Sequence, residues 1–152
     1  LPMSLPTSVQ NAVHNWVEIF MFNSMHDLFR FLKKSGWSMT HYFVFMQLYK
    51  GGPASISDLA AFLGVTKAAM SQMIDGLVQQ GIVTRTEAAH DRRFTQVALT
   101  DHGRLVTEQC IAARYQWLQD VPELTLHQQQ MIIAGLEELT RVVQHHEPSE
   151  GS

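Results

Sequence analysis

Cysteine is almost absent from this chain, Cys110 standing alone among 152 residues, which excludes an intramolecular disulfide and any zinc site built on several thiolates. Long apolar runs are missing too. Nothing approaches the roughly 18 consecutive apolar residues needed to span a bilayer, and the opening LPMSLPTS has neither the basic nor the apolar region of a secretory signal. The expectation is a cytoplasmic protein in a reducing compartment with no membrane partner. Positive charge is scarce: 11 Lys and Arg stand against 14 Asp and Glu, a formal net charge of −3. That balance excludes the broad basic field of a non-specific nucleic-acid binder, so any such affinity has to come from focused contacts. Catalytic signatures are lacking as well, since the chain has no phosphate-cradling G-x-x-x-x-G-K-S/T, no G-x-S-x-G elbow and no H-E-x-x-H. It reads as a protein that is not an enzyme and needs no cofactor. No internal repeat or low-complexity tract is visible.

What is present concentrates between Ser57 and Thr100. Ser57 is placed to cap the N–H groups of Asp58 to Ala60, and Gly64 suits the left-handed end of that helix. Thr66 starts the next helix, so only Val65 lies between the two, a turn short enough to set a helix-turn-helix pair at a steep angle. From Lys67 to Gln80, Met70, Met73, Ile74 and Leu77 recur at the spacing of one buried face. Ala68, Ser71, Gln72 and Asp75 occupy the other face, small and polar, as a major groove requires. Glutamine bonds adenine bidentately, serine serves several bases, and alanine leaves room or meets a thymine methyl, while Lys67 sits at the helix start near phosphate. Gly81 closes this helix. Ile82 to Thr86 and Phe94 to Leu99 read as strands, with the polar EAAHDRR as the hairpin tip between them and Ala54 to Ile56 as a short third strand.

The flanks are helical. Val9 to Lys34 carries Val13, Trp16, Val17, Phe20, Met21, Ser24, Met25, Leu28 and Phe29 on one broad stripe, with Thr7 and Gln10 as a capping box before it and Ser35-Gly36 after it. A second helix follows Ser38 and runs through Tyr42, Phe45 and Leu48 to Gly51-Gly52-Pro53. Thr100 caps a long helix to about Gln119, Val121-Pro122 breaks the chain, and Thr125 with Gln128 opens a last helix ending near His146. The tail EPSEGS is expected to be disordered. Ile132, Leu136, Leu139 and Val143 form one apolar row of that last helix, with Ile133 and Thr140 beside it. That is more apolar width than one small domain covers, so a homodimer is expected. Val106, Cys110, Ala113 and Trp117 share helical spacing, which makes Cys110 a small packed residue rather than a reactive thiol. Neither His145-His146 nor His26-Asp27 presents two side chains on one helical face, and no metal site is read from them.

Asp91, Arg93 and Leu99-Thr100 stand as D-x-R-x5-L-T, followed by Gly103, and this resembles the wing signature of MarR-family transcriptional regulators. The upstream LGVTKAAMSQMIDGLVQQGIV looks like that family's turn and recognition helix, and the resemblance covers about Val9 to His146. It implies a mainly α fold with a small β-wing: one domain over 1–152, a winged helix-turn-helix over 38–100, and dimerisation helices over 9–34 and 101–146. Arg93 would then enter a minor groove or bind its phosphates, with Asp91 holding the wing. The DNA-contacting set is Thr66, Lys67, Ala68, Ser71, Gln72 and Asp75, with Arg92 and Arg93. One departure is the low charge of this region, where Lys67, Arg85, Arg92 and Arg93 face Asp75, Glu87 and Asp91. Trp16, Phe20, Trp37, His41 and Phe45 lie in the segments that line effector sites in the family, implying a small aromatic or phenolic effector. Some relatives bind zinc through His and carboxylates, but the spacing of His41, His102 and Glu108 lends that no support. The expected function is a homodimeric regulator of a palindromic double-stranded DNA operator, a repressor released by its effector. The alternatives are a winged-helix interaction module without DNA binding and a metal-responsive repressor.

Overall fold

The computed structural model describes residues 5–88 and 91–144, without the side chains of residues 87, 88 and 91–94. The chain divides into two compact units, Leu1–Gln119 and Asp120–Ser152.

The first unit begins with α1, Thr7–Ser35, which ends where Gly36 turns left-handed at φ 77 and returns its N–H to the Leu32 carbonyl, beside Lys33 and Lys34 at the negative end of the helix dipole. The expected Thr7–Gln10 capping box is absent. Pro6 is the N-cap, and Gln10 Nε2 donates instead to the Leu5 carbonyl at 2.6 Å, because proline has no N–H for a box to use. Helix α2, Met39–Gly51, does have a reciprocal cap: the His41 N–H donates to Ser38 Oγ at 3.2 Å and the Ser38 N–H to His41 Nδ1 at 3.1 Å. A short β1, Ala54–Ser55, leads into α3, Ile56–Leu63. Here the capping residue is Ser55, not Ser57. Ser55 holds the last extended position at φ −75 and ψ 156 and accepts from the Asp58 N–H at 3.0 Å, whereas Ser57 already lies inside the helix.

Helix α4, Lys67–Gln79, is followed by β2, Val83–Ala88, and β3, Asp91–Leu99. The sheet is antiparallel in the order β1-β3-β2, with Ala54 opposite Val97 and Val83 opposite Leu99. Both wing strands run further than expected. Ala88 pairs with Asp91 after an irregularity at Glu87/Ala88, so most of EAAHDRR is strand backbone. Ala89 and His90 lie outside the described residues.

Helix α5, Asp101–Ala113, stops short of the expected end at Gln119 and gives way to a 3-10 segment over Gln116–Asp120. Tyr115 and Trp117 explain the break. Two residues apart, they would point about 200° apart on an α-helix, yet both rings pack on Phe20, with centroids 5.9 and 6.2 Å from it.

The first unit's core joins Leu28 and Leu32 of α1, Val44, Phe45 and Leu48 of α2, Leu59 of α3, Met70, Ile74 and Leu77 of α4, Val97 of β3 and Cys110 of α5. Each large apolar side chain buried there contributes roughly 1.5–3 kcal/mol. The second unit consists, as described, of α6, Leu126–Gln144. The expected Thr125–Gln128 capping box is present, the Thr125 N–H donating to Gln128 Oε1 at 2.9 Å and the Gln128 N–H to Thr125 Oγ1 at 3.3 Å. No residue of α6 is buried. His145, His146 and the tail lie outside the described residues.

Candidate nucleic-acid interface

Helix α4, the candidate reading helix, is built from its two ends inward. Gly64, left-handed at φ 65, stops α3, and Thr66 opens α4 with Oγ1 accepting the Ala69 N–H at 3.1 Å. That bond leaves the hydroxyl proton of Thr66 able to donate outward, to a phosphate for instance. Met70, Ile74 and Leu77 are fully buried, which fixes the roll of the helix. Lys67, Ala68, Gln72 and Asp75 are thereby turned outward, and Ser71 is half-buried. This face is the one that the spacing of apolar residues indicates.

The wing's root is tied to the end of α4 through the L-T-x-x-G part of the signature. Leu99 closes the ladder opposite Val83. Thr100 then donates its N–H to the Ile82 carbonyl at 3.0 Å and its hydroxyl to the Gly81 carbonyl at 2.6 Å. The same hydroxyl oxygen accepts the Gly103 N–H at 3.0 Å, capping α5. Gly103 has to be glycine on packing grounds, because a Cβ there would collide with the Ile82 carbonyl oxygen. One threonine thus locks the exit of β3, the turn after α4 and the start of α5 together. Of the wing's candidate residues, Asp91, Arg92 and Arg93 belong to β3 by backbone, and their side chains lie outside those described.

Arg85 carries no sequence signature, yet it joins the two halves of the surface. From β2 its Nη2 lies 2.7 Å from Asp75 Oδ1 and donates toward the carbonyl and the hydroxyl of Ser71 at 3.3 and 3.4 Å. The only hint in the sequence is a pair of opposite charges about ten residues apart. A second polar network is equally silent there: Arg114 donates from Nε to Ser24 Oγ at 3.1 Å and from Nη1 to Tyr42 OH at 3.2 Å, tying the end of α5 to α1 and α2.

The five aromatics named for an effector fall into two groups. Trp16 and Phe20 pack with Tyr115 and Trp117, while Trp37, His41 and Phe45 stack among themselves at centroid distances of 5.3 to 6.3 Å. Burial holds the His41 imidazole below its ordinary 6.5. Cys110 is fully buried, and burial pushes its thiol up to about 11, the reverse of the shift that makes a thiol reactive. His41 is engaged with Ser38, and Glu108 accepts from Tyr49 OH at 3.3 Å. Among the described residues no group of three His, Cys, Asp or Glu is gathered to hold a metal ion.

Two helices joined by a tight turn at Gly64 and Val65, the second with a polar outward face, and a two-stranded ribbon rooted at its end define a winged helix-turn-helix protein. The model of the MarR family matches residues 37–95 of the chain. The HTH-type transcriptional repressor MdtR of Bacillus subtilis (strain 168) is 32% identical over 83 residues. That match covers 55% of this chain and 54% of the repressor, so the chain spans about half the length of that relative. The crystal structure of the transcriptional regulator Tm0710 from Thermotoga maritima shares the fold at a TM-score of 0.76 and 21% identity, over 91% of this chain and 96% of that one. A mutant MepR of S. aureus, bound to an oligodeoxyribonucleotide, does so at 0.65 and 16% identity, over 86% and 97%.

Proposed function

We propose that the chain is a homodimeric, sequence-specific DNA-binding transcriptional regulator, a repressor that occupies a palindromic operator and is released by a small aromatic or phenolic effector. The observation that carries this reading is the outward face of α4: Lys67, Ala68 and Gln72 are exposed on a helix whose opposite side is buried in the core. Side chains of that size and polarity match the donor and acceptor edges of a major groove, with Thr66 at the helix start facing phosphate and Arg92 and Arg93 on the wing. The DNA-bound MepR mutant and the repressor MdtR support the same reading. Dimerisation is supported by α6, where Ile132, Ile133, Leu136 and Val143 all stay exposed in the single chain.

Release by an effector is a population shift: a ligand seated among the aromatics of α1 and α2 weakens DNA binding only by its differential affinity for a dimer whose reading helices are wrongly spaced. No described helix is long and apolar enough to cross a membrane.

Selection of bound sequences from random duplex DNA with the purified chain tests the reading. An enriched palindrome with half-sites about one helical turn apart is expected. Absence of any enrichment from a folded, dimeric protein would leave a winged-helix interaction module in its place.

A further inference from the structure

We infer that Arg85 is a positioning residue of this interface, bracing the first wing strand on the reading helix and cancelling the Asp75 carboxylate that the helix would otherwise carry toward DNA. The inference rests on the DNA-binding reading above and sharpens it. Ser71 and Asp75 lie one turn apart on α4, and the Arg85 guanidinium spans both, 2.7 Å from the carboxylate and 3.3 Å from the Ser71 carbonyl. That carbonyl is inside a helix, so the arginine uses its second lone pair. The Arg85 side chain is 33% exposed against 54% for Asp75, so the cation lies against the protein with its partner on the outside.

Two consequences follow for recognition. Arg85 is not a phosphate contact, although it counts among the few cations of the region. Asp75 is not a base reader, although it shares a face with Gln72: a carboxylate accepts from the cytosine N4 amino group, and one of its oxygens is occupied here. Base reading by α4 is left to Lys67, Ala68 and Gln72, with no cytosine preference at the position nearest Asp75. Neutralising that carboxylate matters because an unpaired anion on this helix faces the phosphate backbone, and like charges across an interface are costly.

The test compares the wild type with Arg85→Ala, Arg85→Lys, Asp75→Asn and the double variant Arg85→Ala/Asp75→Asn, titrated against the selected duplex over a salt series. The pair is partly exposed, so all variants are expected to fold, which thermal melts check. Arg85→Ala should weaken binding roughly tenfold with the salt slope unchanged. The double variant should recover most of that loss, and Arg85→Lys should lose less than Arg85→Ala. Asp75→Asn should leave base preferences as they were. The inference is overturned if Arg85→Ala lowers the slope by about 0.9 for each phosphate no longer neutralised and Asp75→Asn rescues nothing, since that is the behaviour of a phosphate-binding cation. Disappearance of a cytosine preference in Asp75→Asn overturns it equally. Side-chain NMR of the DNA-free protein separates this outcome from failure of the functional reading itself. Rotation about the Arg85 Cζ–Nη bonds should be restricted in the wild type and released in Asp75→Asn. A freely rotating guanidinium in the wild type removes the brace whether or not DNA binds.

Discussion

Gly103 sits in the first turn of α5 with the Ile82 carbonyl where its Cβ would be. The obstacle is backbone rather than a flexible side chain, so Gly103→Ala has to move α5 or the turn after α4. A loss of about 1–3 kcal/mol is expected, read as a lower midpoint in urea unfolding. An unchanged midpoint would mean that the contact yields without cost. His41 gives a pH dependence. Its burial keeps the folded-state pKa below 6.5, and the cap in which Nδ1 accepts from Ser38 needs the same neutral ring. The unfolded chain therefore takes up the proton first as pH falls, and the native state binds fewer protons. The contribution of His41 is fully present above pH 6.5 and is lost as pH drops through the folded value. Glutamine keeps an acceptor for the cap without titrating, so the melting temperature of His41→Gln should fall less between about pH 7.5 and 5.5 than that of the wild type. Equal falls would contradict the assignment.

At the scale of elements, the reading helix and the wing should fail differently. Gln72→Ala is expected to relax preference at particular operator bases by about 1–3 kcal/mol for each bidentate pair broken. Arg93→Ala should instead weaken binding across sequences and flatten the salt dependence. Titrations of operator variants at several salt concentrations distinguish the two, and an unchanged affinity in a folded Arg93→Ala dimer would remove the wing from the interface. These elements were legible in the sequence because their signals are local: Thr66 and Thr100 cap the helices they precede, and Gly64 and Gly81 take positive φ where each helix stops. What was not legible depends on distant partners. Whether Ser55 or Ser57 caps α3 turns on the pairing of Ser55 with Gln96, far along the chain. The end of α5 is set by how Tyr115 and Trp117 pack on α1. Arg85 meets Asp75 only because β2 returns along α4, and Trp16 and Phe20 find their ring partners Tyr115 and Trp117 far along the chain.

For the whole molecule, the proposed occupancy of a palindrome requires two copies of the chain acting together. Helix α6 leaves Ile132, Ile133, Leu136 and Val143 exposed along one side, an apolar face suited to burial against a second copy. Leu136→Asp with Leu139→Asp should therefore yield monomer or unfolded chain in light scattering at micromolar concentration. A wild type that stays monomeric over the whole range would remove the two-half-site mechanism. Under the proposed function, the weak net charge of −3 would make a second copy matter more, because affinity gathered from few contacts per subunit would reach a useful level only with both half-sites engaged at once. Sedimentation equilibrium of the chain with the selected palindrome measures that arrangement directly. The account predicts a complex of two chains on one duplex, abolished when the half-site spacing is changed by about half a helical turn; one chain per duplex, or a mass indifferent to the spacing, would contradict it.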